Sequence, residues 1–328
     1  MKDNPVNKAV LVFVFFPLFV ISGFVSCTSQ AVRTAQAEEY FSIGMAYYEL
    51  GKFNDAEVWF NRARAADRTM VASDYNLGRI AFETRRYADA AKYFEGVLSL
   101  DPDNVMALKA AAYSRIKNGD LERAEALYDR VLALVPESAD DGYNYALVLY
   151  GLEKYENCEE VLNKYPFALE EKPSSILLFA RAQKAQNKVE AVDSYAKWLT
   201  VHTGAANPQG LYEYAQVLED SGLYARAIEQ YRDAIKALTK DTEDLKKANL
   251  MFGEARLLLT EDPENEEGLT AFGSAVTEGF SDTEAFEALL LDSRISNDRK
   301  DELRKIFESR IKEEEEISGE TEQTDGEG

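Results

Sequence analysis

Two cysteines and one histidine, Cys27, Cys158 and His202, are the residues of this chain best suited to nucleophilic or metal chemistry. A thiol needs a base beside it to act as a nucleophile, and a structural metal needs about four ligands. His202 stands in the loop sequence VHTGAANPQG with no Cys or His near it, so no ligand set forms around it. No phosphate-cradling glycine loop and no GxSxG turn occurs. The acidic residues are dispersed along polar helical faces, and none stands out as half of a catalytic pair. The acidic stretch TEDPENEEG lacks the ordered ligand spacing of a Ca²⁺ loop and reads as a solvated turn. The sequence therefore offers no catalytic residue, no metal site and no cofactor site, and the expectation is a protein that is not an enzyme.

Cys27 is placed by what precedes it. Lys2 and Lys8 come before the uncharged, mostly apolar run Ala9 to Val25, interrupted by Pro17. A basic start, a short apolar core and small residues beyond it describe a secretory signal peptide. The run falls short of the ~20 residues that cross a bilayer comfortably. Its end, Phe24-Val25-Ser26-Cys27, resembles the lipobox of bacterial lipoproteins, in which the cysteine becomes the acylated first residue of the mature chain. Phe24 replaces the usual Leu, a relaxed form such as spirochaetes use. The resemblance implies fatty-acyl (palmitate-type) attachment at Cys27 and a chain held at the cell envelope, facing the periplasm, in the inner or outer membrane. The rival is ordinary cleavage after Ala31, with Ser29 and Ala31 as the small pair, which gives a soluble periplasmic protein.

Cys158 belongs to a repeat. Ala56, Ala90, Ala124 and Cys158 recur at one constant step, as do Phe60, Phe94, Tyr128 and Leu162, and Gly44, Gly78, Ala112 and Ala146. Pro102 and Pro136 keep the step. The period of about 34 residues lies in the range that marks arrays of stacked units. In the first unit Tyr40, Ile43, Gly44 and Tyr47 make one apolar helical face, Gly51 permits a turn, and Ala56, Phe60 and Ala63 line a second helix. The small residues let the paired helices approach closely while the aromatics fill the flanks. Neither helix buries its face alone, so neighbouring units must stack. Cys158, at the small position, is expected to be a packed thiol.

These columns resemble the tetratricopeptide-repeat (TPR) family, strongly from Ala37 to about Ala168. The expected fold is all-α, a right-handed superhelix of antiparallel helix pairs. Residues 1–26 form the signal peptide, 27–36 a short membrane-proximal linker, and 37–280 a solenoid of six to seven repeats. In the fifth repeat the step shortens by one, with Ala191 and Tyr195 as the counterparts of Cys158 and Leu162. The sixth recovers fully, and the seventh is degenerate across TEDPENEEG. Helices at Asp282 to Leu291 and Asp298 to Lys312, within 281–312, are expected to cap the array. The tail 313–328 carries eight acids and no base, has little to bury, and is expected to be disordered.

The resemblance also implies a partner surface. The family's inward-facing positions fall on Phe41, Met45 and Tyr48, then Tyr75, Arg79 and Phe82, then Lys109, Tyr113 and Lys117, then Tyr143, Leu147 and Tyr150, and Tyr212. This set is aromatic with scattered base, in a chain of net charge −22. The charge argues against nucleic acid. The family's carboxylate-clamp form needs Lys and Asn in its first repeat, where Phe41 and Met45 stand here. The reading is a non-catalytic, lipid-anchored scaffold that binds a protein or peptide in its concave groove. The alternative is a periplasmic module holding a small apolar ligand for a transporter.

Overall fold

The structure is a computed structural model, described here for residues 30–201, 207–239 and 245–309. Cys27, His202 and the acidic tail lie outside the described residues. Within them every regular element is a helix and no strand occurs. The chain divides into two compact units, residues 1–154 and 155–328.

The first unit holds α1 (residues 30–49), α2 (Phe53–Ala66), α3 (Val71–Glu83), α4 (Tyr87–Leu100), α5 (Val105–Lys117), α6 (Leu121–Leu134) and α7 (Ala139–Gly151). Each helix from α2 onward packs against the next in sequence. The reason lies in the repeated columns. Ala56, Phe60, Ala90, Ala124 and Val131 are fully buried, and Phe94 and Tyr128 nearly so. A Cβ added at Gly44 would lie 2.8 Å from the Phe60 ring, and one at Gly78 would lie 2.7 Å from the Phe94 ring. The glycines are there because the aromatic ring of the second helix rests on the backbone of the first.

The turns repeat as faithfully as the core. Gly51, Arg85, Gly119, Glu153 and Asn187 recur at the same step as the core columns, and all five have positive φ, between 55° and 78°. At each, the amide one residue further on donates back to a carbonyl of the preceding helix, as Arg86 does to Ala81 at 2.7 Å and Asp120 to Arg115 at 2.9 Å. This is the closure that ends a helix with a left-handed residue. Glycine takes that conformation freely; Arg85, Glu153 and Asn187 take it because the packed helices on both sides impose it.

The second unit runs through α8 (Tyr155–Asn163), α9 (Pro166–Glu171), α10 (Pro173–Ala185), α11 (Ala191–Val201), α12 (Pro208–Asp220), α13 (Tyr224–Ala237), α14 (Lys247–Glu261), α15 (Glu266–Thr277), α16 (Thr283–Leu290) and α17 (297–309). The register holds through α10, which starts one full step after α7. The second helix of the fourth repeat breaks before Pro166 into α8 and the short α9, which packs against α8 and α10. The turn at Asn187 keeps the full step, so the missing residue lies between Asn187 and Ala191. Here too rings press on glycines, Trp198 on Gly210 and Tyr231 on Gly253.

The last apolar face of the second unit is closed by phenylalanines. Phe252 stacks on Phe280 at 4.0 Å, and Phe286 on Phe307 at 4.2 Å, joining α14 to α17 in one buried cluster. Arg299, only 5% exposed, fastens α17 to the acidic stretch before α15. It donates to Glu266 at 2.8 Å and to the Glu264 carbonyl at 3.2 Å. The stretch TEDPENEEG therefore serves as a partner for a buried cation in the terminal helices.

The close approach of ring to glycine gives a stability test. Gly78→Ala gains about 1 kcal/mol of helix propensity but drives a methyl into a buried, stiff ring, which costs about 1–3 kcal/mol. Urea denaturation should show a net loss of up to about 2 kcal/mol; a raised midpoint would show that the ring moves aside.

Candidate partner groove

The first helices of the first unit place the expected groove positions on one stripe each. Phe41, Met45 and Tyr48 fall at i, i+4 and i+7 on α1, and Tyr75, Arg79 and Phe82 do the same on α3. All six are half-buried. Phe41 and Tyr75 lean on the second helices of their own repeats, 5.4 Å from Phe60 and 5.3 Å from Phe94.

The structure joins these stripes into a ladder across repeats. The Arg79 guanidinium lies 4.4 Å from the centre of the Tyr48 ring, linking α1 to α3. Asn76, itself buried, accepts a hydrogen bond from Arg79 Nη1 at 3.0 Å and holds it there. Phe82 packs 5.3 Å from Tyr113, linking α3 to α5, and the Lys117 ammonium sits 5.4 Å from the Tyr113 ring. Lys109 Nζ meets the buried carboxylate of Asp141 at 2.5 Å, linking α5 to α7. On α7, Tyr143 and Tyr150 are half-buried and Leu147 is exposed.

Two residues of this surface escaped the family-based positions. Met106, one turn before Lys109, is 63% exposed. It borders an apolar hollow of about 280 Å³ with Val71, Tyr75 and Val97. Asp141 was missed because its role is to neutralise Lys109, a contact between residues nearly a full repeat apart in sequence. Met106 had a sequence signal, since it stands one repeat on from Ala72 on the same helical edge.

Tyr212 belongs to the second unit. Its ring lies 6.0 Å from Tyr231, and it lines a hollow of about 540 Å³ with Lys184, Gln216, Asn249 and Arg256. The polar groups largely satisfy one another. Arg256 pairs with Glu219 at 2.6 Å, Tyr231 donates to Glu219 at 3.1 Å, and Lys184 donates to Gln216 at 2.6 Å. Burial pulls the Lys184 ammonium below its usual range and pushes the Tyr212 hydroxyl above its own.

Cys158 is fully buried and free. Burial, with Glu159 next to it, pushes its thiol up to about 12, so almost no thiolate exists at neutral pH. Among the described residues no group of three or more His, Cys, Asp or Glu is placed to hold a metal ion, and no helix there is long and apolar enough to cross a membrane.

Comparison with known proteins follows the same repeats. Models of the tetratricopeptide repeat match residues 41–105 and 81–142. A model described as anaphase-promoting complex, cyclosome, subunit 3 matches 117–197. Two solved structures share the fold. The C-terminal part of a TPR repeat-containing protein from Cytophaga hutchinsonii superimposes with a TM-score of 0.59 at 13% identity, covering 76% of this chain and 99% of that one. A tetratricopeptide repeat protein from Parabacteroides merdae gives 0.52 at 20% identity, covering 78% and 98%. Residues 41–142 of this chain are tetratricopeptide repeats.

Among relatives of this TPR protein, an uncharacterized lipoprotein of Treponema pallidum (strain Nichols) is 25% identical over 183 residues, 56% of this chain and 92% of the relative. The uncharacterized protein ycf37 of Pyropia yezoensis is 34% identical over 107 residues, 31% of this chain, and the match spans 56% of that relative's length.

The state of Cys158 is directly measurable. In the Cys27→Ala protein at pH 7.5, maleimide should label the folded chain at least about 100-fold more slowly than the chain in urea. Comparable rates would mean that Cys158 is reachable in the native fold.

Proposed function

We propose that this TPR protein is a non-catalytic scaffold, anchored by a lipid on Cys27 at a bacterial envelope membrane and holding a protein or peptide across the first helices of its repeats. The observation that carries the proposal is the ladder Tyr48–Arg79 and Phe82–Tyr113–Lys117, which runs across α1, α3 and α5. Its aromatic and arginine side chains combine large contact area with polar tips, the composition that dominates binding energy at protein interfaces. Contacts between rungs hold the side chains in place before a partner arrives, which lowers the entropy lost on binding. Exposed Leu147 and Met106 give the ladder an apolar border.

Envelope anchoring is supported by the lipobox-like Phe24-Val25-Ser26-Cys27 and by the similarity to a protein described as a lipoprotein. The small-ligand alternative has less behind it. The hollow at Tyr212 is lined by ion-paired Arg256 and Glu219, and another, of about 820 Å³ beside α2 and α4, is lined by Arg64, Arg68, Asp74, Asp89 and Lys92. Sites for small apolar molecules are mostly apolar.

Two measurements test the proposal. A photo-crosslinking amino acid at Tyr113 should give a discrete adduct in cells, and the same group at exposed Arg123 on α6 should not. Equal or absent adducts at both would remove the groove from the account. Labelled fatty acid should enter the wild-type protein and not Cys27→Ala; label in neither would make the chain a soluble protein of the periplasm.

A further inference from the structure

The first repeat carries an aromatic face that the later repeats bury. Tyr40, Ile43 and Tyr47 share one stripe of α1, and all three are half-buried. The residues one repeat on from Ile43 and Tyr47 are Leu77 and Ala81, 1% and 0% exposed. Trp59 of α2 extends the face, its ring 5.6 Å from Tyr40. No described element precedes α1 to cover it.

Cations fringe these rings. The Arg62 guanidinium lies 4.4 Å from the Trp59 ring centre, and the Lys52 ammonium 6.0 Å from that of Tyr47. Towards the start of α1 the stripe continues through Gln36, which donates to the Tyr40 hydroxyl at 2.9 Å, to exposed Arg33. In a chain with 59 acidic residues, the stripe Arg33, Gln36, Tyr40, Ile43 and Tyr47 contains none. Trp and Tyr with flanking Lys and Arg are the residues that settle at the boundary between lipid headgroups and acyl chains.

We infer that this α1–α2 face rests on the membrane interface. The inference depends on the anchoring at Cys27 proposed above. Cys27 precedes Gln30, the first described residue of α1, by three positions, a reach of at most about 10 Å. A lipid at that point brings the first repeat to the bilayer, and this is the face with the chemistry to stay there. The acidic remainder of the chain, with Glu39 and Glu49 beside the stripe, selects a zwitterionic surface over an anionic one.

The two tryptophans make the contact measurable. Trp198 is 1% exposed in the core of the second unit, whereas Trp59 lies on the proposed face. The full-length acylated protein is reconstituted into vesicles of phosphatidylcholine with brominated acyl chains and floated. Emission from Trp59 should be quenched at least about twofold relative to unbrominated vesicles, and Trp59→Phe should abolish the quenching. Protein that floats but is not quenched would overturn the inference while leaving the anchor intact; a face covered by a second copy gives that result. Protein that does not float would overturn both.

Discussion

The contact on which this fold depends is an aromatic ring lying against the bare backbone of a neighbouring helix. Phe60 on Gly44 and Phe94 on Gly78 bring paired helices closer than side chains of ordinary size allow. Trp198 on Gly210 and Tyr231 on Gly253 bring the second helix of one repeat equally close to the first helix of the next. The close approach fixes the spacing of the first helices and the place of the turn between partners. Arg85 and Glu153 accept a left-handed conformation rather than shift it. Because the same spacing recurs in each repeat, side chains on successive first helices fall into register. The ladder Tyr48–Arg79 and Phe82–Tyr113 is the outcome of that register.

Charge then separates the uses of the surface. Most of the excess acid is spread over exposed faces, while Arg79 and Lys117 lie over tyrosine rings in the groove. A cation over an aromatic face keeps its charge available to a partner while the ring is partly desolvated. Lys109 is different: it is committed to Asp141 and serves to hold α7 against α5. At the far end, Arg299 plays a comparable structural part, tying the acidic stretch to the last helix so that the phenylalanine cluster stays covered.

Much of this was legible in the residues themselves. The columns through Ala56, Phe60 and Gly44 foretold both the helix pairs and the burial of Cys158, because close packing tolerates only small or only large residues at each place. The terminal helices were readable from Phe286, Leu289, Leu303 and Phe307 at helical spacing. The short helix α9 was not, since PFALEE spans less than two turns and carries no periodicity. The groove residues were named from family positions, but the contacts between them were not. Arg79 meets Tyr48 across most of a repeat, and no local pattern encodes such a pairing. The roles of Asp141 and Arg299 were hidden for the same reason: a charged residue on a helix looks solvated until its distant partner is placed.

Binding along the groove can be read by hydrogen exchange, compared between the purified protein and the protein in its native envelope membranes. Slowed exchange is expected in α1, α3 and α5, the first helices that carry the ladder, with α4 and α6 unchanged. Exchange that is the same in both states along α3 and α5, or slowed only in α4 and α6, would remove the groove as the binding surface.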